Sequence, residues 1–382
     1  MKRVLIDELE AGMVVARTVI GSDGRALLME NTGLSDSYIK RLHLLGLQSV
    51  YIKDGLSDID IPEVVSRQVR SAVSNQLNHS LQQFSAKKAV DIKSLRSVIS
   101  LLLDNVISNH NTLIHLDDIR SHDDYLLMHS LNVAILSMMT GLTLGYNEAK
   151  LMDLGLGALL HDIGMIMVDP DILNKSGGLT PGESEQIKKH PEIGFNILRT
   201  FREIPTKATH IAYQHHEKVD GTGYPRQLDR KNILEYALIT SVADTFDAVV
   251  SDRPFRKGYS TTDGLIIVKK LANTYFDQEI MDAFASNIAM YPVGSLISLN
   301  TGHIALVTSA TRINSTRPQV QVVCDNNYNL IHPTFEINLQ KTDEVSIVKR
   351  LSNEEMEMVR SQISVRKKAI NNNPVEQQYA VL

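Results

Sequence analysis

Hydrophobic and polar positions change their period twice along this chain, and the changes divide it. Over residues 1–62 short apolar runs alternate with turn signals: Val4-Leu5-Ile6, then Met13 to Ala16, then the turn Gly21-Ser22-Asp23-Gly24, then Ala26-Leu27-Leu28. Such a pattern predicts strands joined by hairpin turns. A helix is predicted over 35–45, closed by Gly46, ahead of a strand at Ser49–Ile52. This part is expected to be a small N-terminal α/β module. From 63 to 290 the apolar spacing becomes helical, with segments at 63–84, 91–109, 124–142, 147–162, 181–200, 204–217, 233–252, 261–274 and 278–290. One helix start is explicit: Thr180-Pro181-Gly182-Glu183 places a capping hydroxyl, a proline in the first turn and a glutamate three residues on. After Pro292 strand-like runs return at Ser295–Leu299, Ile304–Ser309, Val320–Cys324 and Val345–Lys349, predicting a small β module over 291–350. The last part, 351–382, is predicted as an amphipathic helix from Ser352 to Ile370 and a polar tail from Asn371. The fold class expected is therefore mainly α, with one helical domain between two small modules.

Composition narrows the partners. The 382 residues carry 39 Lys and Arg against 44 Asp and Glu, which argues against a nucleic-acid polymer as ligand. Trp is absent and aromatics are 5% of residues, so stacking platforms for single strands are scarce. A single cysteine, Cys324, excludes a disulfide framework within the chain and fits a reducing cytoplasm. No apolar run approaches the roughly 18 residues of a membrane span, so a cytoplasmic protein is expected. A homodimer is the default oligomeric expectation.

The candidate chemistry lies in the helical region. Leu154 to Gly164 reads as an apolar helix ending on His161 and Asp162, where a charged carboxylate is costly unless paired or metal-bound. In Ile211 to Glu217 the neighbours His215 and His216 point roughly 100° apart on a helix, which suits two metal ions better than one. Asp244 sits in the apolar run Ile239 to Ala243, His129 in Leu127 to Val133, and His190 opens a His-Pro junction. Each alone has a bland reading as a satisfied core residue. Together, His129, His161, Asp162, His190, His215, His216 and Asp244 offer more imidazole and carboxylate ligands than one tetrahedral ion takes, and suit iron, manganese or zinc. Two metals ~3.5 to 4 Å apart could share Asp162 and a hydroxide that attacks phosphorus in line, which needs no side-chain nucleophile. His161 and Asp162 are thus also the expected catalytic pair. Directly after the paired histidines, Asp220-Gly221-Thr222-Gly223-Tyr224-Pro225 breaks the helix into a tight loop. Arg253 and Arg256 follow the Asp244 helix and could fork onto substrate phosphates.

His161-Asp162, His215-His216-Glu217 and the Asp220 to Pro225 string together resemble the HD-GYP branch of the HD phosphohydrolase superfamily, over about Asp123 to Lys257. The resemblance implies an all-helical HD-type metal-binding domain with a motif core at 123–257, and two or three metals, commonly iron or manganese. It implies hydrolysis of cyclic di-GMP to linear pGpG or onward to GMP. It carries the ligand role to the same seven residues and puts Arg253 and Arg256 at substrate-contacting positions, beside Asp220, Gly221, Gly223, Tyr224 and Pro225. Signalling proteins of the diguanylate-cyclase type are the partners expected at the Gly-Tyr-Pro loop.

Two positions depart from that family. Met165 stands where a phosphate-holding lysine is common, and Tyr125 stands where three-metal members place a glutamate one turn before the first histidine. Two divalent ions and pGpG as main product are therefore expected. Alternatives are a receptor or adaptor that binds the nucleotide without cutting it, and an HD phosphohydrolase of another nucleotide.

Overall fold

The computed structural model describes residues 2–21, 26–45, 47, 49–53, 62–87, 91–114, 125–173, 175, 177–251, 258–352, 354–356, 358–359 and 361–362. The chain forms two compact units, one from residues 1–21, 25–62 and 289–382, the other from 63–288 with 22–24.

In the first unit, β1 (Lys2–Leu5), β2 (Val19–Ile20), β3 (Ala26–Leu28), α1 (Asp36–Leu44) and β4 (Ser49–Ile52) follow one another along the chain. β1 pairs antiparallel with β4, and β2 with β3, over a small core that includes Val4, Ile6, Val15, Leu42 and Ile52. α1 starts where Ser35 accepts from the Tyr38 amide. The run Met13 to Ala16 is not a strand. Val15 donates to the Thr32 carbonyl and Ala16 to that of Tyr51, so its bonds alternate between two segments and build no ladder.

The same unit holds a five-stranded antiparallel sheet in the order β8-β7-β6-β5-β9, made of β5 (Leu296–Leu299), β6 (Ile304–Ser309), β7 (Gln319–Cys324), β8 (Leu330–Asn338) and β9 (Ile347–Arg350). The alternation of apolar residues missed β8, which contains Pro333. Proline cannot donate to a ladder, and β8 tolerates it as an edge strand. Cys324 is a buried core residue of β7, its thiol pushed up to about 11 by burial and Asp325. Of the predicted terminal helix, residues 354–356, 358–359 and 361–362 are helical, and the tail from Asn371 lies outside the described residues.

The second unit is helical. Its main elements are α2 (Arg67–Lys87), α3 (Ile92–Ser108), α4 (Tyr125–Thr143), α5 (Glu148–Leu159), the short α6 (Pro170–Leu173), α7 (Pro181–Ile187), α8 (His190–Leu198), α9 (Thr206–Gln214), α10 (Glu235–Val250), α11 (Thr261–Lys269) and α12 (Gln278–Ala285). α4 is apolar on every side and buried from Leu131 to Gly141, as a helix at the centre of a bundle must be. α5 and α10 pack against it, and α9 packs on both of them. No described helix is long and apolar enough to cross a membrane.

Two boundaries differ from the apolar periodicity. α5 ends at Leu159, so His161 and Asp162 lie in the following turn before a 3-10 segment over Ile163–Met167. The stretch 181–200 breaks at Lys188 and Lys189 into α7 and α8, because Pro191 has no amide hydrogen for the Ile187 carbonyl, which His190 Nδ1 takes instead. The start of α7 is as read: Thr180 accepts from the Glu183 amide while the Glu183 carboxylate accepts from the Thr180 amide.

Candidate metal centre

Five elements deliver the seven ligand candidates to one place. His129 comes from α4, His161 and Asp162 from the turn after α5, His190 from the first position of α8, His215 and His216 from the end of α9, and Asp244 from the middle of α10. The rings lie 4.9 Å apart for His161 and His215, 5.3 Å for His190 and His215, and 5.3 Å for His129 and His161. Asp162 is at the centre. Its Oδ1 is 3.2 Å from His190 Nε2 and 3.5 Å from His215 Nε2, while its Oδ2 is 3.5 Å from His161 Nε2 and 3.9 Å from His129 Nε2. Two groups with metal-ligating spacing share it: Asp162 with His190, His215 and His216, and Asp162 with His129 and His161. Asp244 Oδ1 lies 3.1 Å from His129 Nε2, and its Oδ2 3.8 Å from His216 Nδ1.

The hydrogen bonds behind the rings fix which atoms face this point. His161 Nδ1 donates to the Ala158 carbonyl at 2.8 Å and His190 Nδ1 to that of Ile187 at 2.7 Å. His215 Nδ1 is 3.1 Å from the carbonyls of Ile211 and Ala212. These assignments leave Nε2 of each neutral ring as a lone pair. Yet the Nε2 atoms of His190 and His215 approach to 3.3 Å, both beside a carboxylate oxygen. His161 Nε2 and Asp162 Oδ1 are buried without a well-formed hydrogen bond. Acceptors crowded on acceptors in a dry site are costly, and a shared cation removes the cost. The residues present therefore fit divalent metal ions.

The titration shifts follow the same geometry. Burial disfavours charge on Asp162, but His161, His190 and His215 outweigh it and hold the carboxyl well below its usual range. Asp244 is likewise held down against burial, chiefly by His129. Burial pushes the His161 imidazole down to about 4, and burial with the neighbouring His215 pushes His216 well down, so both offer lone pairs at neutral pH. At His129 burial is overcome by hydrogen bonds to Asp244 and Asp247, and at His215 by Asp162, so both are raised when no metal competes for the lone pair.

Two glycines make the approach possible. A Cβ on Gly164 would stand 2.0 Å from the His190 carbonyl oxygen and 2.7 Å from the Gly194 nitrogen, so the turn after Asp162 and the start of α8 meet backbone to backbone. A Cβ on Gly223 would stand 2.4 Å from the Lys218 nitrogen and 2.6 Å from the His216 carbonyl oxygen. That tight return lays the Tyr224 ring on His216 at 4.7 Å, nearly parallel at 24°. Gly221 holds a φ of +78°, and a cis bond joins Tyr224 to Pro225. Asp220 is exposed and accepts from the amide and hydroxyl of Thr222, so its carboxylate stiffens the loop. Met165 is half-buried beside the site. Arg253 and Arg256 lie outside the described residues, as does the side chain of Tyr125.

Sequence reasoning gave no role to two buried carboxylates. Glu217 accepts from the amides of Arg226 at 2.7 Å and Leu228 at 2.9 Å, latching both ends of the Gly-Tyr-Pro loop. Asp247 binds His129 from behind. It stands three residues after Asp244 on an apolar helix, a repeat of carboxylates on one face that could have flagged it. Glu217→Gln puts an amide N–H against one of the two backbone donors and is expected to cost about 1–3 kcal/mol. Thermal melting together with limited proteolysis over 218–228 tests this. A melt and a cleavage pattern equal to wild type would refute the latch.

The chain is also similar to known proteins. Residues 102–280 match the HD domain, and residues 296–358 match the KOW domain associated with HD domain. A cyclic di-GMP phosphodiesterase of Pseudomonas aeruginosa is 28% identical over 356 residues, covering 84% of this chain and 85% of that protein. The cyclic di-GMP phosphodiesterase PdeB of Borreliella burgdorferi is 28% identical over 63% of this chain and 64% of its own length. A cyclic di-GMP phosphodiesterase of Thermotoga maritima is 36% identical over 183 residues, and there the chain spans about half, 48%, of the relative. Among solved structures, an HDG"Y"P protein from Bdellovibrio bacteriovorus shares the fold with a TM-score of 0.51 over 74% of this chain and 98% of its own, at 18% identity. Residues 102–280 thus match the HD domain family, and the His-Asp, His-His-Glu and Gly-Tyr-Pro strings within them resemble those of the HD-GYP type.

Proposed function

We propose that this chain is a metal-dependent phosphodiesterase that opens cyclic di-GMP to linear pGpG. The observation that carries the reading is the set of buried lone pairs converging on Asp162, which only cations reconcile. Relatives named for this activity supply the substrate. One ion would be held by Asp162, His190, His215 and His216, the other by Asp162, His129, His161 and Asp244, with iron or manganese the natural choices for such ligands. Bound there, the metals supply Lewis acidity toward the phosphoryl oxygens and acidify a water to the point of attack at neutral pH.

The chain's own residues do the rest. Backbone carbonyls behind His161, His190 and His215 fix the ring orientations in advance, so little reorganisation is needed on binding. Tyr224 walls one side of the centre and presents an aromatic ring of the kind a guanine can lie against. Its hydroxyl is kept protonated by burial and by Asp244 and Asp162, so it is available as a donor. Arg253 and Arg256 are proposed to fork onto the phosphates.

Met165 favours a second reading, a receptor that holds the nucleotide without cutting it, because an uncharged side chain stands where the family commonly has a phosphate-holding lysine. Protein loaded anaerobically with iron or manganese, incubated with cyclic di-GMP and analysed by chromatography, separates the two. Release of pGpG with about two metals per chain is expected. Nucleotide bound in a dialysis assay but recovered intact would replace the enzyme by the receptor. Cleavage of 3′3′-cGAMP in preference to cyclic di-GMP would overturn the substrate.

A further inference from the structure

Four of the histidines at the centre show how their rings are held, and one is held differently. His161, His190 and His215 lean on neutral backbone carbonyls within their own turns. His129 instead meets a carboxylate 118 positions away, its Nδ1 lying 2.7 Å from Asp247 Oδ2. Asp247 is 1% exposed, so its charge is fully desolvated and needs partners. Among the described residues its side-chain partners are His129, the Asn132 side-chain amide on Oδ1 at 2.8 Å, and the Ser251 hydroxyl on Oδ2 at 3.2 Å. Asn132 and Ser251 are neutral and orient the carboxylate without compensating it. Among the described partners, His129 is the one that can share the charge, through a cation held on its Nε2, which faces Asp244 and Asp162.

We propose, on the basis of the metal centre described above, that Asp247 is the positioning residue of one metal only. It fixes the Nδ1–H tautomer of His129 and makes its Nε2 a stronger donor, so that the metal on the His129 side has a different affinity and ligand field from the metal held by His190, His215 and His216. A carboxylate behind a ligating imidazole has this effect in general, and losing such a partner typically costs ~10–100-fold in metal affinity. The α4–α10 packing places Asp247 there, with Asn132 and His129 on one face of α4 and Asp244 and Asp247 on one face of α10. Arg70 of α2 supports the arrangement from outside through the Asn132 carbonyl at 3.4 Å.

The test is a titration of the purified, metal-free chain with cobalt(II), followed by visible absorption and calorimetry, for wild type, Asp247→Asn, Asp247→Ala and Asn132→Ala. Wild type is expected to take up two equivalents. In Asp247→Asn one equivalent should keep its affinity and spectrum, while the other weakens ~10–100-fold and its absorption bands shift. Asn132→Ala removes a bond between α4 and α10 but leaves the His129 pair, so it should lower the melting temperature with both spectra kept. Should Asp247→Ala fail to fold, the isosteric asparagine variant still decides. Two wild-type equivalents in Asp247→Asn, with unchanged affinity and bands, would overturn the proposal. So would an equal weakening of both, which marks Asp247 as mere packing. If wild type itself takes up no cobalt, the metal centre fails together with this inference, and the wild-type curve alone reveals that.

Discussion

Asp162→Ala is expected to abolish binding of both metals and, with them, phosphodiester hydrolysis. Four imidazole nitrogens lie within 3.2 to 3.9 Å of its two oxygens, and both candidate ligand groups include it. Asp244 reaches one histidine of each group, His129 and His216, but only Asp162 belongs to both groups, so its loss is expected to remove both ions where loss of a single histidine removes one. The affinity loss should exceed the ~10–100-fold that removal of an outer partner costs. A direct readout is the melting temperature with and without metal. Wild type should gain about 2.7 kcal/mol for each ion when free metal reaches a hundredfold excess over that ion's dissociation constant, and the variant should gain almost nothing. A variant that still counts two metals per chain would remove Asp162 from the centre of the site.

Gly164→Ala is expected to damage both the stability of the helical unit and the metal centre. Its Cβ would overlap the His190 carbonyl oxygen at 2.0 Å and approach the Gly194 nitrogen at 2.7 Å, and both are backbone atoms that no rotamer change can move. The start of α8 must then retreat, taking His190 away from Asp162. Overpacking of this kind costs about 3 kcal/mol or more when main chain has to shift. Gly177→Ala is the matched control, because nothing lies within 4 Å of a Cβ there. It should change stability by less than about 0.5 kcal/mol and leave metal content alone. Equal melting temperatures and metal content for the two variants would show that the close contact carries no weight.

The two results bear on one question, how a short motif produces a site. His161-Asp162-x-Gly164 gives a ligand, a shared ligand and the gap through which the next ligand arrives. His215-His216-Glu217 gives two ligands and the latch of the loop that covers one of them. In both, the proposed ligands are adjacent in sequence to the residues that set the backbone, so a change aimed at one disturbs the other.

Much of this chain is legible without coordinates, and for a local reason. An imidazole or carboxylate inside an apolar helical segment is costly wherever the chain goes, and although each alone could be a satisfied core residue, the joint occurrence of His129, Asp162, His190, His215 and Asp244 points to a site. The capping box at Thr180 is local as well, because its two hydrogen bonds span three residues. The helical centre and most of the flanking strands follow from apolar period, while β8 and the run Met13 to Ala16 do not. What the tertiary structure decided is what depends on partners far along the chain. The edge position that tolerates Pro333 in β8 is set by the order of the sheet. The convergence of α4, α5, α8, α9 and α10 brings the ring nitrogens of His190 and His215 to 3.3 Å and turns separate buried polar groups into one site. Asp247 is the sharpest case. Its spacing from Asp244 hints at a carboxylate face, but only the packing of α10 on α4, which buries apolar faces between them, sets it against His129.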